Sequence, residues 1–195
     1  MKGPERIAVF CGASPGRGSA YLAHAARLGT ELGRRGLGLV YGGSAAGVMG
    51  AVADAALAAG GHVTGVIPHH LTLLDPVKAD IDELHVVDTM HERKALMYQL
   101  ADAFITLPGG LGTLDELFET ITWAKLGLHT KPMVLLDVDD YYQPLAALLD
   151  RSHGEGFTSA RDRRLVQVAS TASEALALCG HVLDEMPRIP EPVTG

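Results

Sequence analysis

The chain has 195 residues, with 16 Lys and Arg against 23 Asp and Glu, a formal net charge of −7. That acidic balance, with no long run of like charge, argues against nucleic acid as the main partner, because phosphate backbones are held by clustered cations. Hydrophobic residues make up 47% and charged residues 20%, so the chain folds, and no apolar stretch reaches the about 18 residues that a membrane span needs.

A first strand is expected at 7–11, then a helix at 20–35 stopped by Gly36. A second strand, 37–41, runs into Gly42 and Gly43. A helix at 48–59 closes on Gly60 and Gly61. Strands at 62–67 and 84–87 precede a helix at 90–101. A strand at 103–107 leads into Pro108, Gly109 and Gly110, and a helix runs from about 114 to 126. A strand at 133–136, a helix at 141–151, an edge strand at 166–169 and a helix at 173–183 complete the alternation. From Pro187 onward the chain holds three of its ten prolines and reads as a frayed tail.

Strands that are apolar on both faces and alternate with helices specify a parallel sheet covered on both sides. The expected architecture is α/β: one doubly wound, Rossmann-like domain over 1–185, its parallel sheet carrying helices on both faces. A Pro-rich tail follows at 186–195. Aromatic residues are 5% of the chain, so the core is expected to be aliphatic. Cys11 and Cys179 have no paired spacing and no secretory segment is evident, which predicts a cytoplasmic protein with free thiols.

Ligands of such folds sit outside the carboxyl ends of the strands. Three loops there are Gly-rich: Cys11 to Ser14, Gly42 to Gly50, and Pro108 to Thr113. Each opens onto a helix, whose free N–H groups and positive dipole end form a seat for an anion. None is a dinucleotide fingerprint, since Asp115 stands where the nearest match needs its third Gly. No P-loop sequence occurs. The spacing of Thr113 and Glu116 also reads as a capping box. Thr171 and Glu174 repeat that spacing without preceding glycines and read as a plain cap. Capping needs no glycine, whereas close approach of a ligand to backbone does, so the Thr113 segment is read as a ligand loop.

Advancing about 100° per residue from Met90 places Met97, Leu100 and Ala101 on one apolar stripe, with Arg93 inside it and Lys94 at its edge. A guanidinium on a buried stripe requires an anion. That anion is either a structural carboxylate or a ligand's phosphate or ribose. In the next helix Leu117, Phe118, Ile121 and Ala124 are the expected core stripe. Glu116 and Trp123 lie opposite, on a face expected to line a cleft or meet another subunit. His69, His70, His85, His91 and His129 lack the spacing of metal ligands, so no metal is expected. Cys11 reads as a small buried filler rather than a nucleophile.

The segment Pro108 to Glu116 has the form PGGxGTxxE, and Met90 to Lys94 has the companion form MHxRK. With both motifs in this order, the chain from its CGAS loop to about Thr171 resembles the Lonely Guy family of cytokinin-activating phosphoribohydrolases. Members of that family have often been labelled lysine decarboxylases. The resemblance implies a cofactor-free, Rossmann-like homodimer. It implies hydrolysis of the N-glycosidic bond of a nucleoside 5′-monophosphate, N6-prenylated AMP or AMP itself, to the free base and ribose 5-phosphate.

Arg93 and Glu116 match the family's catalytic positions. Lys94, Gly109, Gly110, Gly112, Thr113 and Thr122 match substrate contacts, as do Ser14 and Gly43 in the earlier loops, and Asp75 aligns without gaps to a family Glu contact. One departure is Ser44, which replaces the last Gly of the family's YGGG. Two rival readings stand beside this one. A pyridoxal-phosphate decarboxylase needs a Schiff-base lysine, and only Lys94 lies in a site-like segment. A non-catalytic nucleotide-binding protein of the same fold needs none of the chemistry.

Overall fold

A helix returns the chain between most successive strands, so every strand in the sheet runs parallel to its neighbours. The structure, a computed structural model, describes residues 5–74 and 76–185, the side chains through 180. In chain order the elements are β1 (Arg6–Phe10), α1 (Ser19–Arg34), β2 (Gly38–Tyr41), α2 (Gly47–Ala58) and β3 (Val63–Pro68). A short 3₁₀ segment (His69–Leu73) leads to β4 (Glu83–Val87) and α3 (Met90–Leu100). Then follow β5 (Ala103–Thr106), α4 (Leu111–Lys125), β6 (Met133–Leu136), α5 (Gln143–Gly154), α6 (Ala160–Arg163), β7 (Val166–Ala169) and α7 (Ala172–Glu185). All seven expected strands are present. The 3₁₀ segment and α6 were not anticipated, and α4 begins three residues before the expected start.

The strand order is β4-β3-β2-β1-β5-β6-β7. The fold is therefore α/β and doubly wound, with β7 at one edge. Successive residues of β1 point to opposite layers. Ile7 and Val9 pack with α1, α2 and α7, while Ala8 and Phe10 pack with α3 and α4. Each such fully buried Val, Leu or Ile contributes about 1.5–3 kcal/mol relative to exposure. Between α1 and β2 the chain turns through Gly36, at φ +67°. Its N–H donates to Gly33 O and the N–H of Leu37 to Leu32 O, both at 3.0 Å. This left-handed closure satisfies the last carbonyls of α1.

The chain leaves β1 toward β2 and leaves β5 toward β6, in opposite directions along the sheet. The two loops therefore part above their strands and open a crevice at the switch point. At its base they touch: the Gly12 N–H donates to Pro108 O at 3.2 Å. Among the described residues no helix is long and apolar enough to cross a membrane.

Candidate active site

The turn after β5 ends at Gly110, which is the N-cap of α4 and supplies no side chain to cap it. Thr113 therefore lies inside the first turn, buried, and does not cap the helix. Thr171 does cap α7, accepting the Glu174 N–H on Oγ1 at 3.2 Å. No acceptor within the described residues takes the N–H groups of Leu111, Gly112 and Thr113. A Cβ added at Gly110 or Gly112 would meet nothing within 4 Å. Packing does not require those two glycines, and they leave the backbone bare.

The other Gly-rich loops are more committed. Gly12 O accepts the N–H of Met49 in the first turn of α2, at 3.2 Å, and α1 starts only at Ser19. The expectation of three anion seats thus narrows to α4 as the most open one.

Helix α3 is set by Thr89, whose Oγ1 accepts the Glu92 N–H at 3.1 Å, while Glu92 accepts the Asp88 N–H at 2.9 Å. One residue further, Arg93 turns inward and is only 6% exposed. Its Nε donates to Val66 O at 3.0 Å and its Nη1 lies 3.2 Å from Glu116 Oε1. The guanidinium passes directly beside Gly42, where any Cβ would collide with it. The bare end of β2 is what lets Arg93 reach across.

Glu116 is 4% exposed. Burial pushes its carboxyl up to about 7 from 4.5, and the attraction of Arg93 only partly offsets this. Its Oε1 accepts no hydrogen bond despite the nearby guanidinium. Cys11 is buried beneath, its thiol pushed far up by burial and further by Glu116, so it fills space and is not a thiolate.

These groups line one cleft of about 450 Å³. Of the expected residues, Ser14, Gly109, Gly110, Gly112 and Thr113 are brought together there with Arg93 and Glu116. The lining also has an apolar part, with Val48, Met49, Ile67, Leu71 and Met90. Other expected residues lie elsewhere. The cleft is lined by Gly42 and Ser44 rather than by Gly43 between them. Ser44 Oγ accepts the Ala46 N–H at 3.1 Å, a bond a glycine would not make.

Lys94 turns to α4, with Nζ 2.9 Å from Asp115 and 3.1 Å from Glu119. Thr122 is exposed and donates to Phe118 O at 2.7 Å. Asp75 lies outside the described residues. Among the described residues no cluster of His, Cys, Asp or Glu is arranged to hold a metal ion.

In the expected core stripe of α4, Phe118 alone departs from expectation; Leu117 and Ala124 are buried and Ile121 packs against the core, as expected. The buried residues of the helix are Thr113, Glu116, Leu117, Thr120 and Ala124, and Phe118 is 40% exposed. The face bearing Glu116 and Trp123 looks toward α3: Glu116 meets Arg93, and Trp123 packs edge-on against Tyr98 at 4.9 Å. Two lining residues, Tyr21 and Tyr141, carry no motif and could be found only from the topology that folds them over the crevice.

Residues 49–179 match the family model described as "Possible lysine decarboxylase". The chain is 48% identical over 172 residues to a probable cytokinin riboside 5′-monophosphate phosphoribohydrolase of Oryza sativa subsp. japonica, covering 88% of this chain and 70% of that one. It is 48% identical over 175 residues to the cytokinin riboside 5′-monophosphate phosphoribohydrolase of Rhodococcoides fascians, covering 89% and 88%. Among solved structures, the molybdenum cofactor binding protein of Rippkaea orientalis matches with a TM-score of 0.68 at 26% identity, covering 91% and 96%. The chain therefore belongs to the "Possible lysine decarboxylase" family, and within it to the Lonely Guy group of cytokinin riboside 5′-monophosphate phosphoribohydrolases.

Proposed function

We propose that this chain hydrolyses the N-glycosidic bond of a nucleoside 5′-monophosphate, N6-prenylated AMP or AMP, releasing the free base and ribose 5-phosphate. The observation that carries the reading is the buried Arg93–Glu116 pair in a cleft edged by the unengaged first turn of α4. The names of relatives at 48% identity support it.

The 5′-phosphate rests on the N–H groups of Leu111, Gly112 and Thr113, where the helix dipole favours negative charge. Binding at that remote group anchors the ribose over Glu116. As the C1′–N bond breaks, positive charge grows on the sugar. The Glu116 carboxylate stabilises that oxocarbenium-like state or orients the attacking water. Water forms the new bond to C1′, and its proton leaves with the base. Arg93 holds the carboxylate in place and offers its fork to a ligand oxygen. Ser14, Gly109 and Gly110 shape the rim. Lys94 and Gly43 act indirectly, through the α3–α4 contact and the bend after β2. Thr122 lies on the exposed face of α4 with Leu111, Phe118 and Leu126, which a second copy covers in a cytoplasmic homodimer.

A pyridoxal-phosphate decarboxylase fits less well. The amine of Lys94 is tied to two carboxylates, and among the described residues no lysine lines the cleft to form a Schiff base. The likeness to a molybdenum cofactor binding protein favours a second reading, a cleft that binds a nucleotide without cleaving it. One experiment separates them: purified protein incubated with AMP, prenylated AMP and their nucleosides, with base release as the readout. Base released from the nucleotides supports the hydrolase. Nucleotide bound with no base released leaves the binding protein.

A further inference from the structure

The loop between β6 and α5 has no part in the chemistry above, yet its backbone is unusual. Asp139 and Asp140 are consecutive, non-glycine and left-handed, at φ +51° and +58°. L residues enter that region at a cost, usually singly. Asp137 closes the loop by accepting the Tyr142 N–H on Oδ1 at 2.8 Å.

The result is two adjacent tyrosines directed at the turn after β5. The buried Tyr142 hydroxyl donates to Leu107 O at 2.8 Å. The Tyr141 hydroxyl donates to Gly109 O in a short bond. Between them, Pro108 O accepts the Gly12 N–H. Three successive carbonyls of the turn are each held by a donor from another part of the chain.

Peptide geometry makes the last of these bonds matter. Across a planar trans peptide the carbonyl and the next N–H point in opposite directions. Holding Gly109 O therefore fixes the Gly110 N–H, at the entry to α4. Two glycines flank that peptide: Gly109 packs closely against Thr113 and Gly12, but a side chain at Gly110 would meet nothing, so on the Gly110 side packing does little to stop the peptide turning over. A turned peptide would bring its carbonyl to the edge of the Leu111–Thr113 seat, where it repels an anion. The Tyr141 ring itself is braced edge-on by Tyr142 at 5.0 Å and Tyr21 at 6.0 Å.

We propose that Tyr141 is a positioning residue whose hydroxyl locks the Gly109 carbonyl and so keeps the first turn of α4 shaped to receive the 5′-phosphate. The inference rests on the reading of that turn as the phosphate seat.

Tyr141→Phe tests it by deleting one oxygen while keeping the ring and its edge contacts. The loss of one hydrogen bond predicts a KM for AMP raised about 5- to 20-fold, with kcat within about 3-fold. Calorimetric affinity for ribose 5-phosphate falls in parallel, and affinity for adenosine stays unchanged. Equal ribose 5-phosphate affinity in wild type and variant overturns the positioning role alone. Adenosine and AMP weakened alike also overturns it, because a merely loosened cleft would do that. A wild-type protein that binds neither AMP nor ribose 5-phosphate removes the underlying phosphate seat itself. Tyr142→Phe serves as the comparison: its buried bond to Leu107 predicts a lower Tm with a smaller change in KM.

Discussion

Nη1 of Arg93 lies 3.2 Å from Oε1 of Glu116, yet that oxygen accepts no hydrogen bond. The charges attract without the alignment that would saturate the carboxylate. A buried acceptor left in this condition costs stability, and it remains available to a ribose hydroxyl or a water. Glu116→Gln keeps the shape and an acceptor for Arg93 but removes the charge. It should cut turnover about 100-fold or more, the scale of a positioned acid–base group, while nucleotide affinity stays within a few-fold. Steady-state rates beside direct nucleotide binding check this, and near-normal turnover would remove Glu116 from the mechanism.

The same carboxyl predicts a pH dependence. Its folded value of about 7 lies above the 4.5 of the free group, burial being the main cause. The folded state therefore binds the proton more tightly than the unfolded state. Stability from this group is full below the unfolded value and is lost as pH rises through about 7. The difference amounts to at most about 3 kcal/mol. Denaturant unfolding at about pH 5 and about pH 8 should show wild type losing stability relative to Glu116→Gln, which has no proton to release. Parallel behaviour would mean that Arg93 already keeps the carboxylate ionised at the lower pH. Activity should move the other way: base and electrostatic stabiliser both need the anion, so kcat should rise through neutral pH.

The exposed face of α4 carries a prediction about assembly. Leu111 is 87% exposed, Phe118 40% and Leu126 66%, all on the side away from the sheet. Trp123 is half-buried against Tyr98 of its own chain, so the apolar stripe beside it is the better candidate for a subunit contact. Light scattering at micromolar concentration should give twice the chain mass. Phe118→Asp should halve it, since an unpaired charge is poorly tolerated in the core of an interface. A wild-type mass of one chain would sink the homodimer.

The legibility of these features in the sequence followed their physical signal. Strands such as β2 and β5 are buried on both faces, and an unbroken apolar run announces that. Arg93 was legible as a cation on an apolar stripe. The anion beside it is a carboxylate of the chain, and that carboxylate belongs to Glu116, the residue to which the proposed function gives the chemistry. The start of α4 was obscured by Gly110 and Gly112, which are poor helix formers. Phe118 is exposed although an apolar side chain at that position signals burial. The buried side of α4 carries Thr113, Glu116 and Thr120 beside the expected Leu117 and Ala124, since part of it walls the cleft. Tyr141 sits more than thirty residues beyond the turn it holds, and only the β1–β5–β6 order brings them together.

A preference for a 5′-phosphate is the sharpest prediction of the proposed function. The sequence pointed to three glycine turns as anion seats, but α2 has its Met49 N–H engaged by Gly12 O while the first turn of α4 stays open. The seat therefore concentrates at Leu111 to Thr113, with Arg93 reaching in from α3 past Gly42. Losing a charged contact of this kind costs about 2–5 kcal/mol when the other charge is left unpaired. That is roughly 30-fold to several thousand-fold in kcat/KM. AMP or its prenylated form should release base while adenosine and prenyladenosine stay nearly inert. Arg93→Ala should abolish most activity and most of that preference, and it strands Glu116 as a buried carboxylate without its cation. Arg93→Lys should recover little, because a point charge cannot both meet Glu116 and reproduce the planar donor that binds Val66 O. The measurement is kcat/KM for matched nucleotide and nucleoside pairs. Equal values within a pair would mean that the bare turn of α4 holds something other than phosphate, and the phosphoribohydrolase reading would fall with it.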